Sequence, residues 1–314
     1  MRALVTGAGG FVGANLVRHL LAGGHEPVAM VRPDGSRWRL DDVAGDVAQT
    51  VVDLCDPEAI RGAVRRMRPE VIFHLAAFGA YSWQRELGPM LAVNVRASEE
   101  LLHAASEVDA TLVHAGSSSE YGFKDHPPAE DELVEPNSHY AVTKVAATHL
   151  CRLAAATAGT RASTLRLYSI YGPWEEPGRL MPTLVARCRA GGWPPLVGPG
   201  TARDFVWVGD ACDAFVRAAA AGGEVSGGVF NIASGIQTTL ADLVATAGQV
   251  FAVGQEPEWG SMEARTWDTA TWVGDPARAL HQLGWRATTT IADGLTALQT
   301  WMDDHADIAE RYTS

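Results

Sequence analysis

Tyr140 and Lys144 stand four residues apart in Tyr-Ala-Val-Thr-Lys, a spacing that puts the phenol and the ammonium on one face of a helix. A phenol on its own titrates near ~10. A neighbouring ammonium favours the phenolate and brings it toward the range an acid/base catalyst needs at neutral pH. Lys144 is therefore expected to lower the pKa of Tyr140, which can then exchange a proton with a substrate oxygen as hydride moves at the adjacent carbon. Tyr-x-x-x-Lys strings are common and carry little alone. This one follows a β-rich run leading into Gly116-Ser117-Ser118-Ser119-Glu120-Tyr121-Gly122, which offers hydroxyls and a carboxylate at a strand end.

A second set of residues has the chemistry of an anion cradle. Residues 3–13 read Ala-Leu-Val-Thr-Gly-Ala-Gly-Gly-Phe-Val-Gly, an apolar strand, glycines at 7, 10 and 13, and a helix starting at Val12. Gly7 permits a tight turn, Gly10 lets backbone amides approach a pyrophosphate, and Gly13 lets the helix pack closely on the strand with its N-terminus toward the phosphates. The spacing departs from Gly-x-Gly-x-x-Gly, because Val12 stands at its third glycine. At the end of the second strand a carboxylate favours NAD, whereas arginine accommodates the 2′-phosphate of NADP. Arg32 follows Pro27-Val-Ala-Met-Val31, with Arg37 and Arg39 behind it, so NADP is the expected cofactor. NAD is the alternative, with Arg32 a solvated charge and Asp34 at the ribose.

The elements that must position these groups alternate along the chain. Short β-rich runs at 3–6, 27–31, 50–52, 71–75, 111–115 and 162–167 separate helical patterns at 12–21, 57–67, 89–106 and 139–158. That rhythm predicts βαβ units in an α/β, Rossmann-like, doubly wound parallel sheet with right-handed crossovers. After Tyr168, glycine and proline punctuate the chain at 172–173, 192–195 and 198–200, and two short β runs return at 203–208 and 229–232. The expected organisation is a dinucleotide-binding domain over 1–169, completed by about 203–235, and a smaller C-terminal substrate-binding lobe over 170–202 and 236–314. Eight of the ten tryptophans follow residue 170. They either stack on substrate or pack a loop-rich lobe, and the large area an aromatic ring buries favours packing.

Length and composition exclude several classes. A chain of 314 residues makes one large or two smaller domains and needs neither disulfides nor metals for its core. Hydrophobic residues at 47% and charged residues at 20% exclude a disordered tail or a simple-repeat fibre. Lys plus Arg number 25 against 37 Asp plus Glu, and a net charge of -12 is the wrong sign for general nucleic-acid binding. Cys55, Cys151, Cys188 and Cys212 show no Cys-x-x-Cys spacing, so a reducing cytoplasm is expected. The opening residues lack the pattern of a signal peptide, and no run approaches the roughly 18 apolar residues of a membrane span. His74, His114 and His139 lack ligand spacing with a second histidine or cysteine, so no metal is expected.

Glycines 7, 10 and 13 taken with Tyr140-Ala-Val-Thr-Lys144 closely resemble the extended short-chain dehydrogenase/reductase family of NDP-sugar epimerases, dehydratases and reductases. The likeness extends nearly end to end, through Asp53-Leu54, Phe73-His-Leu-Ala-Ala77, the strand-end string 116–122, Arg166-Leu-Tyr-Ser-Ile-Tyr-Gly-Pro173, Arg203-Asp-Phe-Val-Trp-Val-Gly-Asp210 and Leu283-Gly-Trp285. The resemblance implies that Gly7, Gly10, Phe11, Val12, Gly13 and Arg32 bind the cofactor and that Asp53 and Leu54 frame its adenine. Leu75, Ala76, Ala77 and Asn94 line the cofactor cleft, and Lys144, beside Tyr140, holds the nicotinamide ribose. Ser117, Tyr140 and Lys144 form the implied catalytic set, Ser117 bonding the same substrate oxygen as Tyr140.

Dehydratases of the family carry a glutamate two residues before the strand-end tyrosine, as base at the sugar C5. Here that position is Ser119, and Glu120, displaced by one, faces the other way on an extended segment. Dehydration is thus not expected, and Glu120 is left as a structural or substrate-hydroxyl partner. The implied nucleotide-sugar contacts are Ser118, Ser119, Glu120, Ser169, Arg179, Arg203 and Arg265, the arginines suiting bidentate diphosphate contacts. Residues 78–83 are expected to line the sugar pocket. The activity expected is NADPH-dependent reduction of the C4 keto group of an NDP-4-keto-6-deoxyhexose, since the strand-end string resembles those of family 4-ketoreductases. The alternative is an NDP-sugar 4-epimerase with tightly bound NAD, which oxidises C4 and returns hydride to the other face of the rotated sugar. The helices at 89–106 and 139–158 resemble those that pair as a four-helix bundle in family dimers, so a homodimer is expected.

Overall fold

The computed structural model describes residues 1–81, 83–263 and 269–312. Its strands are β1 (Arg2–Thr6), β2 (Glu26–Val31), β3 (Ala48–Val51), β4 (Val71–His74), β5 (Thr111–Ser117), β6 (Ala162–Leu167), β7 (Ser169–Tyr171), β8 (Ala202–Arg203), β9 (Phe205–Trp207), β10 (Val229–Ile232) and β11 (Thr238–Thr239). Its α-helices are α1 (Phe11–Ala22), α2 (Pro57–Met67), α3 (Leu87–Met90), α4 (Ala97–Val108), α5 (His139–Ala158), α6 (Leu180–Arg189), α7 (Val208–Ala221), α8 (Leu240–Phe251), α9 (Ala277–Leu283), α10 (Ile291–Asp304) and α11 (Ala306–Ala309).

Seven strands form one parallel sheet in the order β10-β6-β5-β4-β1-β2-β3. Side chains of a strand alternate between faces, and both faces here are covered, so the strands read as apolar runs. Leu4, Ile72 and Leu112 enter one core with Leu101 and Ile60. Their neighbours Val5, Phe73 and Val113 enter the opposite core with Leu16 and Phe215. The strand order reverses between β1 and β4, and in such sheets ligands bind beyond the carboxyl ends at that switch point.

A third core, built of Tyr171, Met181, Leu184, Leu243, Leu298 and Tyr312 among others, draws only on residues after 170. Two tryptophans after residue 170 serve packing: Trp174 is 2% exposed and meets Trp301 edge-on at 5.1 Å. Trp285, 1% exposed, donates its indole N–H to the Asp210 carbonyl at 2.8 Å. Ala279, Leu283 and Trp285 pack into the Val5 and Phe73 core, although they lie in the stretch expected to form the separate lobe.

Two elements differ instructively from expectation. The β run at 203–208 divides into β8, β9 and the first turn of α7, because Asp204 between the two strands turns inward. Its carboxylate accepts from Ser234 N and Oγ, Gly235 N and Gly274 N, tying two loops together. The helical run at 89–106 is continuous over 87–108, but Leu91–Arg96 is a π turn between α3 and α4. A π turn adds a residue to the helical repeat and often marks a functional site; this one carries Asn94, 1% exposed.

Candidate active site

The glycine-rich turn follows β1. Gly7 has φ 68°, and a Cβ there would lie 2.6 Å from the Ala76 backbone nitrogen. A Cβ on Gly13 would lie 2.2 Å from the Gly7 carbonyl oxygen, so α1 approaches the turn more closely than any side chain permits. Gly10 donates to the Gly7 carbonyl at 2.9 Å and is the N-cap of α1, with no side-chain cap and no acidic residue in the first turn. The leading amides of α1, at Phe11, Val12 and Gly13, thus stay uncapped at the positive end of the helix, and this cradle fits a dinucleotide pyrophosphate. Opposite it, Thr6 Oγ1 accepts from Ala76 N at 3.2 Å and bonds His74 Nδ1 at 2.8 Å, which fixes the segment Leu75–Ala77 against β1.

At the adenosine end, Arg32 is exposed just past β2, and Asp53 and Leu54 follow β3. Asp53 Oδ1 accepts from Cys55 N at 2.8 Å, and Leu54 packs on the second core. Arg39 behaves differently from Arg32. It is 6% exposed and donates to the Trp174 carbonyl and to Glu176 Oε2, each at 2.6 Å, so it clamps the loop after β7 to the glycine-rich end.

Asn94, expected at the cofactor, is committed elsewhere. Its Oδ1 accepts from Phe78 N at 2.8 Å, while Nδ2 donates to the Phe78 carbonyl and to Thr143 Oγ1. It therefore holds Phe78 against α5, with Thr143 as its contact on that helix.

The second half of the site is the corner between β5 and α5. Ser138 caps α5 by accepting from Ala141 N, and Gly159 ends the helix with φ 65°. Ser117 Oγ lies 2.8 Å from Ser119 Oγ and accepts from Ser119 N at 3.2 Å. Glu120 is fully buried and touches no open space. Oε1 accepts from Ser117 N at 2.9 Å, and Oε2 accepts from Thr148 Oγ1 and from Arg166 Nε, both at 2.9 Å. A Cβ on Gly116 would lie 2.8 Å from that carboxylate, so the glycine admits it. Glu120 is a positioning residue rather than a substrate contact, since Arg166, 3% exposed, and Thr148 occupy it. Ser118 is also buried, 7% exposed.

The electrostatics of Tyr140 reverse the expectation. Burial, with the Glu120 charge behind it, pushes the phenol up to about 12, against the downward pull of the Ser117 hydrogen bond and the Arg179 guanidinium. The largest effect on Lys144 is also burial, which lowers its ammonium to about 8, opposed by Glu120 and Cys151. Lys144 is 2% exposed and bonds His114 Nε2 at 3.2 Å.

The remaining expected contacts are dispersed around this corner. Arg179 precedes α6, donates to the Ala80 carbonyl at 3.0 Å and lies over the Tyr81 ring, joining the later half of the chain to these two residues. Tyr81 stacks on Trp83 at 4.6 Å. Ser169 donates its backbone N–H to the Asp204 carbonyl at 2.9 Å, and Arg203 lies over the Trp272 ring at 5.8 Å. Arg265, and Ser82 of the 78–83 segment, lie outside the described residues. Arg39, Arg166 and His114 were not among the expected residues of the site. Their signal was available in part: Arg166 is the one charged residue, and His114 the one imidazole, within their β-rich runs. Among the described residues no three His, Cys, Asp or Glu side chains cluster as a metal site, and no helix is long and apolar enough to cross a membrane.

A switch-point glycine turn beside a Ser, Tyr and Lys corner defines a dinucleotide-dependent enzyme of the short-chain dehydrogenase/reductase class. The chain belongs to the NAD dependent epimerase/dehydratase family, whose model matches residues 3–233. It is 34% identical over 310 residues to a UDP-glucose 4-epimerase of Mycolicibacterium smegmatis, covering 94% of this chain and 96% of that protein. It is 29% identical to a dTDP-glucose 4,6-dehydratase of Streptomyces griseus, covering 96% of this chain and 94% of that one. Among solved structures, a Thermus thermophilus UDP-glucose 4-epimerase in complex with NAD superposes with a TM-score of 0.83 at 26% identity, covering 96% of this chain and 99% of that chain. The chain is accordingly an enzyme of a family that acts on nucleotide sugars.

Proposed function

We propose that this enzyme is a UDP-sugar 4-epimerase that retains NAD. The observation that carries the reading is the β5 corner. The position a dehydratase needs for its base holds Ser119, hydrogen-bonded to Ser117, and the neighbouring Glu120 is consumed by Arg166 and Thr148. Tyr140 is then left to handle the proton of a sugar hydroxyl, with Ser117 bonding the same oxygen. The identity to a UDP-glucose 4-epimerase over 94% of the chain supports epimerisation above the 4-ketoreduction that the strand-end string suggested.

NAD supplies a hydride acceptor and donor when bound. In this reading the uncapped amides of α1 hold its pyrophosphate, Asp53 and Leu54 its adenine, and Lys144 its nicotinamide ribose. Tyr140 would take the proton of the sugar 4-hydroxyl only as its phenolate and return it as the phenol on reduction; its raised pKa in the chain alone favours the phenol, the form needed for the return step. Arg179 and Arg203 are the proposed diphosphate and sugar contacts, with Ser118, Ser119 and Ser169 around them.

Purified protein offered UDP-glucose should interconvert it with its C4 epimer, with no net change in cofactor and with NAD released on denaturation. A second reading, 4-ketoreduction with NADPH, rests on Arg32, exposed at the end of β2. Stoichiometric NADPH loss with an NDP-4-keto-6-deoxyhexose, and no epimer from UDP-glucose, would replace the first reading with it. We also infer a homodimer. Leu87 and Leu91 at the start of the 87–108 helix and Val142 and Leu153 on α5 are exposed apolar residues suited to a second copy. A monomer mass by light scattering would remove that part.

A further inference from the structure

Lys144 has a buried neighbour that the chemistry above does not use. Its ammonium, 2% exposed, makes one hydrogen bond among the described residues, to Nε2 of His114 at 3.2 Å. His114 lies in β5, 1% exposed, in register with His74 of β4 and Thr164 of β6. The two imidazoles are 5.5 Å apart, but only one is free to serve the lysine. His74 has both nitrogens occupied, Nδ1 by Thr6 Oγ1 at 2.8 Å and Nε2 by Ser98 Oγ at 2.9 Å. His114 keeps Nε2 for Lys144 and turns Nδ1 toward Thr164 Oγ1 at 3.5 Å.

An ammonium has three donors and no acceptor, so Nε2 of His114 must present its lone pair and the ring proton must sit on Nδ1. We propose that His114 is a positioning residue: a neutral, Nδ1-protonated imidazole that accepts one N–H of Lys144, fixes the ammonium on the Tyr140 side of α5, and leaves its other two N–H groups for a ribose. The proposal rests on Tyr140 and Lys144 as the acid/base machinery, and not on which sugar reaction they serve.

The surroundings fit a neutral acceptor. Burial, with the Lys144 charge next, lowers both histidines, His74 to about 3 and His114 well below its ordinary value. The titratable and charged groups facing Lys144 are His74 from β4, His114 from β5, Glu120 with its partner Arg166 on β6, and Cys151 and Tyr140 from its own helix. A second cation at position 114 would expel the ammonium, and an apolar group would leave it buried without an acceptor, which favours loss of its proton.

The first test uses the full-length protein without substrate. Nitrogen NMR of 15N-histidine-labelled protein should show His114 as the Nδ1–H tautomer, not titrating between about pH 5.5 and pH 7.5, where Lys144 keeps its proton, as expected for a fully desolvated imidazole. An Nε2–H tautomer, or a His114 that titrates in that window, overturns the proposal whatever reaction the enzyme catalyses. The second test compares His114→Gln with His114→Met, near-isosteres that differ in having an acceptor. The alkaline limb of kcat, which follows Lys144, should stay in place in the Gln variant and move down by about one pH unit in the Met variant, a tenfold change in the protonation constant. Equal shifts in both, or none in either, would also overturn it. If neither variant folds, the tautomer of the wild-type ring decides.

Discussion

The two halves of the site make opposite use of side chains. At the glycine-rich turn, close approach depends on their absence, with a Cβ excluded at 2.6 Å from Ala76 N and at 2.2 Å from Gly7 O so that the leading backbone amides of α1 stay uncovered by side chains. At the β5 and α5 corner, the proposed chemistry depends on side chains drawn together from several elements, where the buried Glu120, Arg166, Lys144 and His114 and the half-buried Tyr140 set one another's charge. The first half is rigid because nothing larger fits. The second is poised because each group's ionisation depends on a partner brought from another element, and a partner can be removed.

That contrast can be broken most sharply at the corner. Tyr140→Phe should lower kcat by about 10²–10⁴-fold, the usual contribution of a positioned acid/base, with nucleotide-sugar affinity by calorimetry changed little. Near-wild-type turnover would show that another group moves the proton.

Glu120→Gln should destabilise the fold by about 3–5 kcal/mol in denaturant unfolding, because Arg166 is left as a buried cation without its counter-charge. Replacing both residues by apolar ones should cost less than the single change does. If Glu120→Gln is neutral in unfolding yet abolishes activity, the carboxylate acts on substrate after all.

At the other half, Gly13→Ala should cost about 1–3 kcal/mol by overpacking and weaken dinucleotide binding together with stability. The discriminating result is the coupling. A variant that binds NAD normally while unfolding early would show that the turn is structural only.

The pH dependence separates the halves again. Lys144 titrates near about 8 in the folded chain against an ordinary 10.5, so the unfolded chain binds the extra proton between those values. From this group, stability rises with pH across that window, whereas activity that needs the ammonium falls as pH passes about 8. Activity and melting temperature recorded from pH 7 to pH 10 should therefore diverge, and a parallel decline would assign the alkaline limb to unfolding.

The smallest effect is expected at Arg32. Being exposed, its change to Ala should leave NAD affinity within about twofold, as a solvated surface charge does. A tenfold loss confined to NADPH would return the cofactor assignment to the arginine reading.

Much of this was legible in the chain itself. The spacing of Gly7, Gly10 and Gly13, the β-rich runs that became β1 to β6, and Tyr140 four residues before Lys144 on a helix running from His139 to Ala158 all depend on contacts within a turn or two. Local geometry writes such features into residue order. Ser138 before that helix and Gly159 after it mark its ends for the same reason. Less legible was the division of 203–208, because Asp204 turns inward only where Ser234, Gly235 and Gly274 arrive from later in the chain.

What only the tertiary structure decided is the state of the chemical groups. Spacing alone predicts a phenol pulled down by the lysine four residues on, yet burial and Glu120 raise Tyr140, and Lys144 turns to His114, thirty residues before it. Sequence leaves Glu120 as either a structural or a substrate-hydroxyl partner, and the pairing of β5 with β6 decides for the structural role by bringing Arg166 to it from 46 positions away. Periodicity tells which residues share a face. Ionisation depends on how much water is left and which charge stands across the gap, and both are set by the register of strands far apart in sequence.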